Sequence, residues 1–286
     1  MPTVSDRSRL ISIVQSRQNA RVRELRAAFS RAPRESGEVI GIEGEHLLAE
    51  AIRSGVRLRS VFLRRDPASS DAGRRDASLR LLDRLHPPAA VPLIELTSAL
   101  FDSAVDTESP QGIAALVEPP RFSLAEALAG PAPLVLVTAA LQDPGNFGTL
   151  VRSAEAFGAT GILALPGTVS VWNPKTLRAT AGSAFRLPVI YEKSSLAFAA
   201  LAERKIPVLA AVPAAAHPDA VPCSRADLRG PTALLIGNEG SGLSQDLLDR
   251  AQSCITIPMP GPVESLNAAI AAGILLYEAA RQRSTR

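Results

Sequence analysis

Aromatic residues make up only 4% of the 286 positions. A binding surface built mainly on stacked rings, as in a single-strand nucleic-acid platform, is therefore excluded. Cysteine is nearly absent: Cys223 and Cys254 lie far apart, form no CxxC pair and have no neighbouring histidine pair. That spacing supports neither a structural zinc site nor a disulfide framework, and it reads as two idle thiols in a reducing compartment. His46, His86 and His217 are too few for a multi-histidine metal centre, and surface or loop positions without a role are expected for all three. No apolar run is long enough to span a bilayer, and Met1 to Leu10 lacks the apolar core of a signal peptide. The Ala-rich stretch from Ser265 to Tyr277 contains Asn267 and reads as a buried helix. A cytoplasmic protein with no metal and no membrane attachment is expected.

Lysine is scarce too. It occurs only at 175, 193 and 205, so 28 of the 31 basic residues are arginine. A coding bias toward arginine accounts for that ratio but not for its distribution. Residues 1–80 hold 16 Arg and no Lys against 10 Asp plus Glu, a net +6 in a chain whose total is +3. The planar guanidinium fork suits phosphate, so a basic N-terminal part favours RNA over a small neutral substrate.

The length predicts two compact units, and 46% hydrophobic residues suffice for their cores. In the first, Ser16 to Arg31 carries Arg17, Arg21, Arg23, Arg26 and Arg31 around Val22, Leu25 and Phe29, the spacing of an amphipathic helix with a basic outer face. Strands are expected at 38–42, 58–63, 91–96 and 110–117, helices at 45–53 and 79–85, and an exposed loop over 66–76. This alternation predicts a small α/β unit over residues 1–117. Pro119, Pro120, Pro131 and Pro133 mark a linker over 118–133, with a helical patch at Leu124 to Leu128. The second unit, 134–286, opens with the buried-strand run Leu134-Val135-Leu136-Val137. Further strands are expected at 161–165, 206–212, 233–236 and 254–257, and helices at 149–157, 195–203, 243–250 and 266–281. A largely parallel sheet with helices on both faces follows. There is no internal repeat and no low-complexity tract.

Ligands of open α/β sheets bind beyond the carboxyl ends of the strands, where three segments of the second unit carry polar residues that a core does not need. In Asp143-Pro144-Gly145-Asn146-Phe147-Gly148-Thr149-Leu150-Val151-Arg152, the glycines allow close backbone approach, and Thr149 is expected to begin a helix whose amino end favours anions. Arg152, about one turn in, can meet a phosphate or carboxylate; a plain capped Gly-rich turn is the competing reading. Gly237-Asn238-Glu239-Gly240-Ser241-Gly242 runs a strand into a three-glycine loop whose spacing is not the dinucleotide G-x-G-x-x-G. Glu239 there suits a hydrogen-bond acceptor or a cation-positioning group, and equally a solvated loop acid. Ile255-Thr256-Ile257-Pro258-Met259 ends a strand in a proline-rich turn, followed by Glu264-Ser265-Leu266-Asn267 at an expected helix start. A buried asparagine there needs partners, at a cost of roughly 1–3 kcal/mol if unpaired.

Together and in this order, N-x-G-x-x-x-R, G-N-E-G-x-G and I-P-M with E-S-L-N resemble the three signature motifs of the SpoU (TrmH) family within the SPOUT class of RNA methyltransferases. The resemblance covers about residues 134–283. More weakly, the Arg-rich start, Glu43-Gly44 and Pro110-Gln111-Gly112-Ile113 resemble that family's substrate-binding domain, similar to a ribosomal-protein fold that grips RNA. The resemblance implies a C-terminal domain tied in a deep trefoil knot, against the usual rule for chains. It also implies a homodimer and S-adenosylmethionine bound in the knot. Gly237, Ile257 and Leu266 would line the donor pocket. Asn146 and Arg152 would sit at the methyl-transfer site, with Glu239, Ser265 and Asn267 arranging it.

The implied reaction is methylation of a ribose 2′-hydroxyl in RNA, with 23S ribosomal RNA the expected target and transfer RNA the alternative. A ribose hydroxyl is a poor nucleophile near neutral pH, and holding reactants in line lowers a barrier by ~7–11 kcal/mol. Arg152 then acts as base or as phosphate-positioning group; a guanidinium ordinarily stays protonated, which favours the second. A non-catalytic RNA-binding ribosome-assembly factor is the alternative of another class. An oxidoreductase is disfavoured by the missing G-x-G-x-x-G after Leu134 to Val137. Glu43 and Arg53 are open to RNA contact or to a solvated, salt-bridged face.

Overall fold

The computed structural model describes residues 11–30, 38–65, 80, 84–85, 87–88, 90–105, 107, 109–215 and 217–284. The loop expected over 66–76, most of the helix expected over 79–85, Arg31 and His86 lie outside the described residues. The chain divides into two compact units, Met1–Pro120 with Trp172–Pro174, and Arg121–Val171 with Lys175–Arg286.

The first unit is a mixed five-stranded sheet. Its strands are β1 (Ile11–Val14), β2 (Ile40–Glu43), β3 (Leu58–Arg65), β4 (Leu93–Thr97) and β5 (Ile113–Val117), in the order β1-β4-β3-β5-β2. β1, β4 and β3 run parallel, while β5 is antiparallel to β3 and β2. Helix α1 (Ala20–Ser30) starts later than its apolar periodicity suggests because Asn19 caps it. The Asn19 Oδ1 accepts the Arg21 N–H at 2.9 Å, and its carbonyl accepts that of Arg23 at 3.1 Å. Val22, Leu25 and Phe29 of α1 close over Phe62, Ile94 and Leu96 of the sheet. The side chains of Arg17 and Arg23 stay exposed, engaged in no hydrogen bond or ion pair among the described residues. Helices α2 (Glu45–Arg53) and α3 (Ser98–Asp102) also belong to the unit.

Glu43 is neither a free RNA contact nor a solvated acid. It is buried, accepting the Thr107 hydroxyl at 2.6 Å and the Gln111 N–H at 2.7 Å. The Glu-Gly pair therefore staples the segment leading into β5. Arg53 forms a surface ion pair with Glu50 at 2.9 Å.

The second unit is a seven-stranded, wholly parallel sheet: β6 (Leu134–Thr138), β7 (Gly161–Ala164), β8 (Val189–Tyr191), β9 (Val208–Ala211), β10 (Val221–Pro222), β11 (Thr232–Ile236) and β12 (Ser253–Thr256). The order is β10-β12-β9-β11-β6-β7-β8. Its helices are α4 (Leu124–Ala127), α5 (Pro144–Ala156), α6 (Pro174–Thr180), α7 (Ser194–Glu203), α8 (Gln245–Asp249) and α9 (Ala268–Ser284). Val135, Val137, Ala233 and Leu235 face one core with Phe198 and Leu201 of α7, while α9 packs on β11 and α5 on the other face. Helices on both faces explain why the central strands are uninterrupted apolar runs. The proline-rich stretch is structured from Arg121 on: a capping box between Ser123 and Glu126 starts α4, and Gly161 meets Ala127 so closely that a Cβ would lie 2.5 Å from that residue's own.

Two helix starts differ from expectation at the motifs. α5 begins at Pro144, not Thr149, because Asp143 caps it, its Oδ1 accepting the Asn146 N–H at 2.7 Å, with proline at the first helical position. A carboxylate already occupies that amino end, and Arg152 falls in the third turn. α9 begins at Ala268, so Ser265 and Leu266 precede the helix and Asn267 is exposed rather than buried.

Candidate active site

β11 is buried throughout and ends at Gly237, where the chain doubles back on itself. A Cβ at Gly237 would lie 2.5 Å from the carbonyl carbon of Gly242, so only glycine fits. The loop is closed by reciprocal backbone bonds between Asn238 and Gly242, at 3.1 and 3.0 Å, with Gly242 in the left-handed region at φ +65°. The Asn238 side chain fills it: Oδ1 accepts the Gly240 and Ser241 N–H groups at 2.8 and 3.2 Å, and Nδ2 donates to the Ala140 carbonyl at 2.6 Å. Glu239 thus stands on a rigid loop tied to the segment leaving β6. Asn238 has no part in the sequence reading, although asparagine bonding its own backbone two residues on is a known turn signal.

The three motif segments meet at Asn146. The Asn146 Nδ2 donates to Glu239 Oε1 at 3.1 Å, and the Asn146 Oδ1 accepts from Asn267 Nδ2 at 3.0 Å. The Asn267 Oδ1 in turn accepts the N–H groups of Ala269 and Ile270 at 2.9 and 3.3 Å, which makes Asn267 the cap of α9. The direction of this chain is forced. Backbone donors take the Asn267 oxygen, so its amide nitrogen faces Asn146, whose own nitrogen is left to face the carboxylate. The helix end and both amides therefore point donors in sequence toward one acid.

Beside this triad, beyond the ends of β9, β11 and β12, lies a cavity of about 360 Å³. Gly237, Glu239, Ile257, Ser265 and Leu266 all line it. Asn146 and Asn267 are not among the lining residues and reach the cavity through Glu239. Arg152 is not brought to either. It lies six residues beyond Asn146 on α5, roughly 9 Å along the axis and about 240° around it, exposed and without a hydrogen bond or ion pair among the described residues. His217, for which a loop position without a role is expected, lies in a loop but lines the cavity. Among the described residues no group of three or more His, Cys, Asp or Glu is arranged to hold a metal, and no helix is long and apolar enough to cross a membrane.

Known proteins resemble this chain in sequence and fold. The model of the SpoU rRNA Methylase family matches residues 133–277, and that of the MRM3-like substrate binding domain matches 19–115. The 23S rRNA (guanosine(2553)-2'-O)-methyltransferase RlmP of Bacillus subtilis (strain 168) is 31% identical over 267 residues, covering 92% of this chain and 97% of its own. The 23S rRNA (guanosine-2'-O-)-methyltransferase RlmB of Ralstonia nicotianae is 31% identical over 241 residues, covering 80% and 95%. The crystal structure of the SpoU methyltransferase AviRb from Streptomyces viridochromogenes, in complex with the cofactor AdoMet, superposes with a TM-score of 0.78 at 28% identity, covering 94% and 99%. Motifs, fold and relatives agree, and the chain belongs to the SpoU rRNA methylase family.

Proposed function

We propose that this chain methylates a ribose 2′-hydroxyl of 23S ribosomal RNA with S-adenosylmethionine as donor. The observation that carries the reading is the Asn267–Asn146–Glu239 chain of hydrogen bonds at the wall of a cavity large enough for a cofactor. The residues present fit that donor. Ile257, Leu266 and Leu275 offer apolar walls, Glu239 offers a negative charge, and the wall residue Thr256 carries a buried hydroxyl with no hydrogen-bond partner among the described residues. When bound, the donor supplies an electrophilic methyl group on a sulfonium.

Gly237, Ile257 and Leu266 would hold it, and the protein's own groups do the rest. Asn146 and Asn267 fix Glu239, whose carboxylate favours the cationic centre and lies where a hydroxyl proton needs an acceptor. Ser265 faces the same cavity and serves as a polar contact to the sugar. Arg152, exposed and unpaired among the described residues, is assigned to a phosphate of the substrate. Residues 1–117, with the exposed side chains of Arg17 before α1 and Arg23 on it, are assigned to gripping RNA, and 118–133 to joining them to a transferase over 134–286. The trefoil knot and a cytoplasmic location belong to the same reading.

A homodimer is part of the proposal. Ile270, Ile274 and Tyr277 occupy one stripe of α9 and remain 57%, 37% and 55% exposed, an apolar face for a second copy to cover. The test is methyl transfer from radiolabelled donor to 23S rRNA and to tRNA transcripts. Label on the ribose of 23S rRNA is expected. Label confined to tRNA selects the alternative target, and donor binding without label on any RNA refutes the enzyme.

A further inference from the structure

The cavity wall contains two ionisable side chains, Glu239 and His217. They sit on loops leaving adjacent parallel strands, β11 and β9. Glu239 is committed to Asn146; His217 has no assigned part. Its backbone is held on both sides, the His217 N–H donating to the Pro213 carbonyl at 3.2 Å and the His217 carbonyl accepting the Ala220 N–H at 3.0 Å. Ala220 is buried, and the chain re-enters the sheet immediately afterwards at β10. The imidazole therefore stands on an anchored turn and half-buried, unlike a mobile surface histidine.

The sulfonium donor has one anionic group, the carboxylate of its amino-acid tail, and two cationic ones. Glu239 complements the cations. The rest of the wall is apolar or hydroxyl-bearing, apart from Asn238, whose amide is used within its own loop. We infer that His217 is a donor-binding residue that presents an imidazole N–H to the tail carboxylate, the one group of the donor that Glu239 does not complement. No covalent step is involved; the role is binding and orientation of the tail. This assignment rests on the methyltransferase reading and deepens it.

Calorimetric titration of the full chain with three ligands tests it: S-adenosylmethionine, S-adenosylhomocysteine, and 5′-methylthioadenosine, which lacks the tail. His217→Ala is expected to weaken both tail-bearing ligands about 10-fold while 5′-methylthioadenosine changes less than about twofold, the scale of one hydrogen bond to a charged group. His217→Gln retains an N–H donor without a cationic form and is expected to fall between. It decides alone if the alanine variant does not fold, a selective loss on the tail-bearing ligands supporting the assignment. Equal weakening of all three ligands, or no weakening of S-adenosylhomocysteine, overturns it. The two readings fail separately. Wild-type protein that binds neither donor nor product sinks the methyltransferase assignment, whereas wild-type binding untouched by substitution at His217 sinks only this one.

Discussion

Asn146 matters for its two-ended amide. It joins an acceptor on one motif to a donor on another, so that a single side chain is bonded to both of the other two motifs. Asn146→Ala should release Glu239 from its fixed position while leaving the donor cavity walls intact, since Asn146 is not among them. Turnover should fall about 100-fold or more, the scale of losing one preorganised polar group, with the dissociation constant for donor changing about threefold at most. Single-turnover methyl transfer together with donor titration measures both, and a variant that loses donor affinity but keeps its rate would contradict the assignment. Glu239→Gln keeps the shape and the acceptor for Asn146 but removes the charge. It should weaken the donor more than the product S-adenosylhomocysteine, because only the donor carries the sulfonium charge that the carboxylate favours. Equal weakening of the two ligands in calorimetry would show that the charge has no such part.

At the scale of elements, the last helix is tied down at the end remote from the site. Arg283 donates to the carbonyls of Ala132, Leu228 and Gly230 at 2.6–2.8 Å, and Gln282 bonds Ala226 and Leu228. Glu278 organises this end, accepting from Arg281 and Gln282, and those bonds hold its carboxyl down to about 2. A carboxyl depressed in the folded state contributes stability that is present above its ordinary value of 4.5 and is lost as pH falls from there toward 2. Glu278→Gln should therefore be less stable than wild type near pH 7, with the gap closing below pH 4; thermal melts across that range check it, and a constant gap would reject the linkage. Arg283→Ala removes three bonds from a charged donor and should cost about 2–4 kcal/mol by denaturant unfolding.

The same scale shows how much was legible in the chain. The continuous apolar runs of β6 and β11 announce a buried parallel sheet, and the motif glycines mark its loops. The short strands β1, β8 and β10 carry two to four residues, too few for a period to register, and sheet neighbours define them. The start of α5 was readable from Asp143-Pro144, but the glycines that follow lower helix propensity and mask it. Ser265, Glu239 and Gly237 were legible as motif members. Asn238 and His217 were not assigned, since what they touch is set by backbones 98 residues away in one case and by cavity shape in the other.

The whole molecule raises a question that one copy leaves open, namely what Arg152 is for. Its position on α5 turns it away from its own Asn146, whereas its neighbour Ser153 lies against α9, its hydroxyl 3.9 Å from a Cβ placed on Gly273. Gly273 falls between Ile270 and Ile274, inside the exposed apolar stripe assigned to a second copy. Arg152 is the residue next to Ser153 on α5, and a two-fold dimer built on that face could carry its guanidinium toward the partner's cavity. Complementation separates this arrangement from action within one copy. Asn146→Ala and Arg152→Ala should each be inactive as homodimers. If Arg152 serves the partner, a mixed dimer keeps one complete site, with intact Asn146 from one chain and intact Arg152 from the other. An equal mixture reassembled at random should then regain about one quarter of the wild-type rate, because half of the dimers are mixed and each has one working site of two. If Arg152 serves its own chain, every site in the mixture lacks one residue and activity stays at the level of the single variants. Ile274→Glu, which places a charge in the stripe, should yield monomers by light scattering and abolish the recovery, so that a recovery surviving in monomeric protein would refute the shared site.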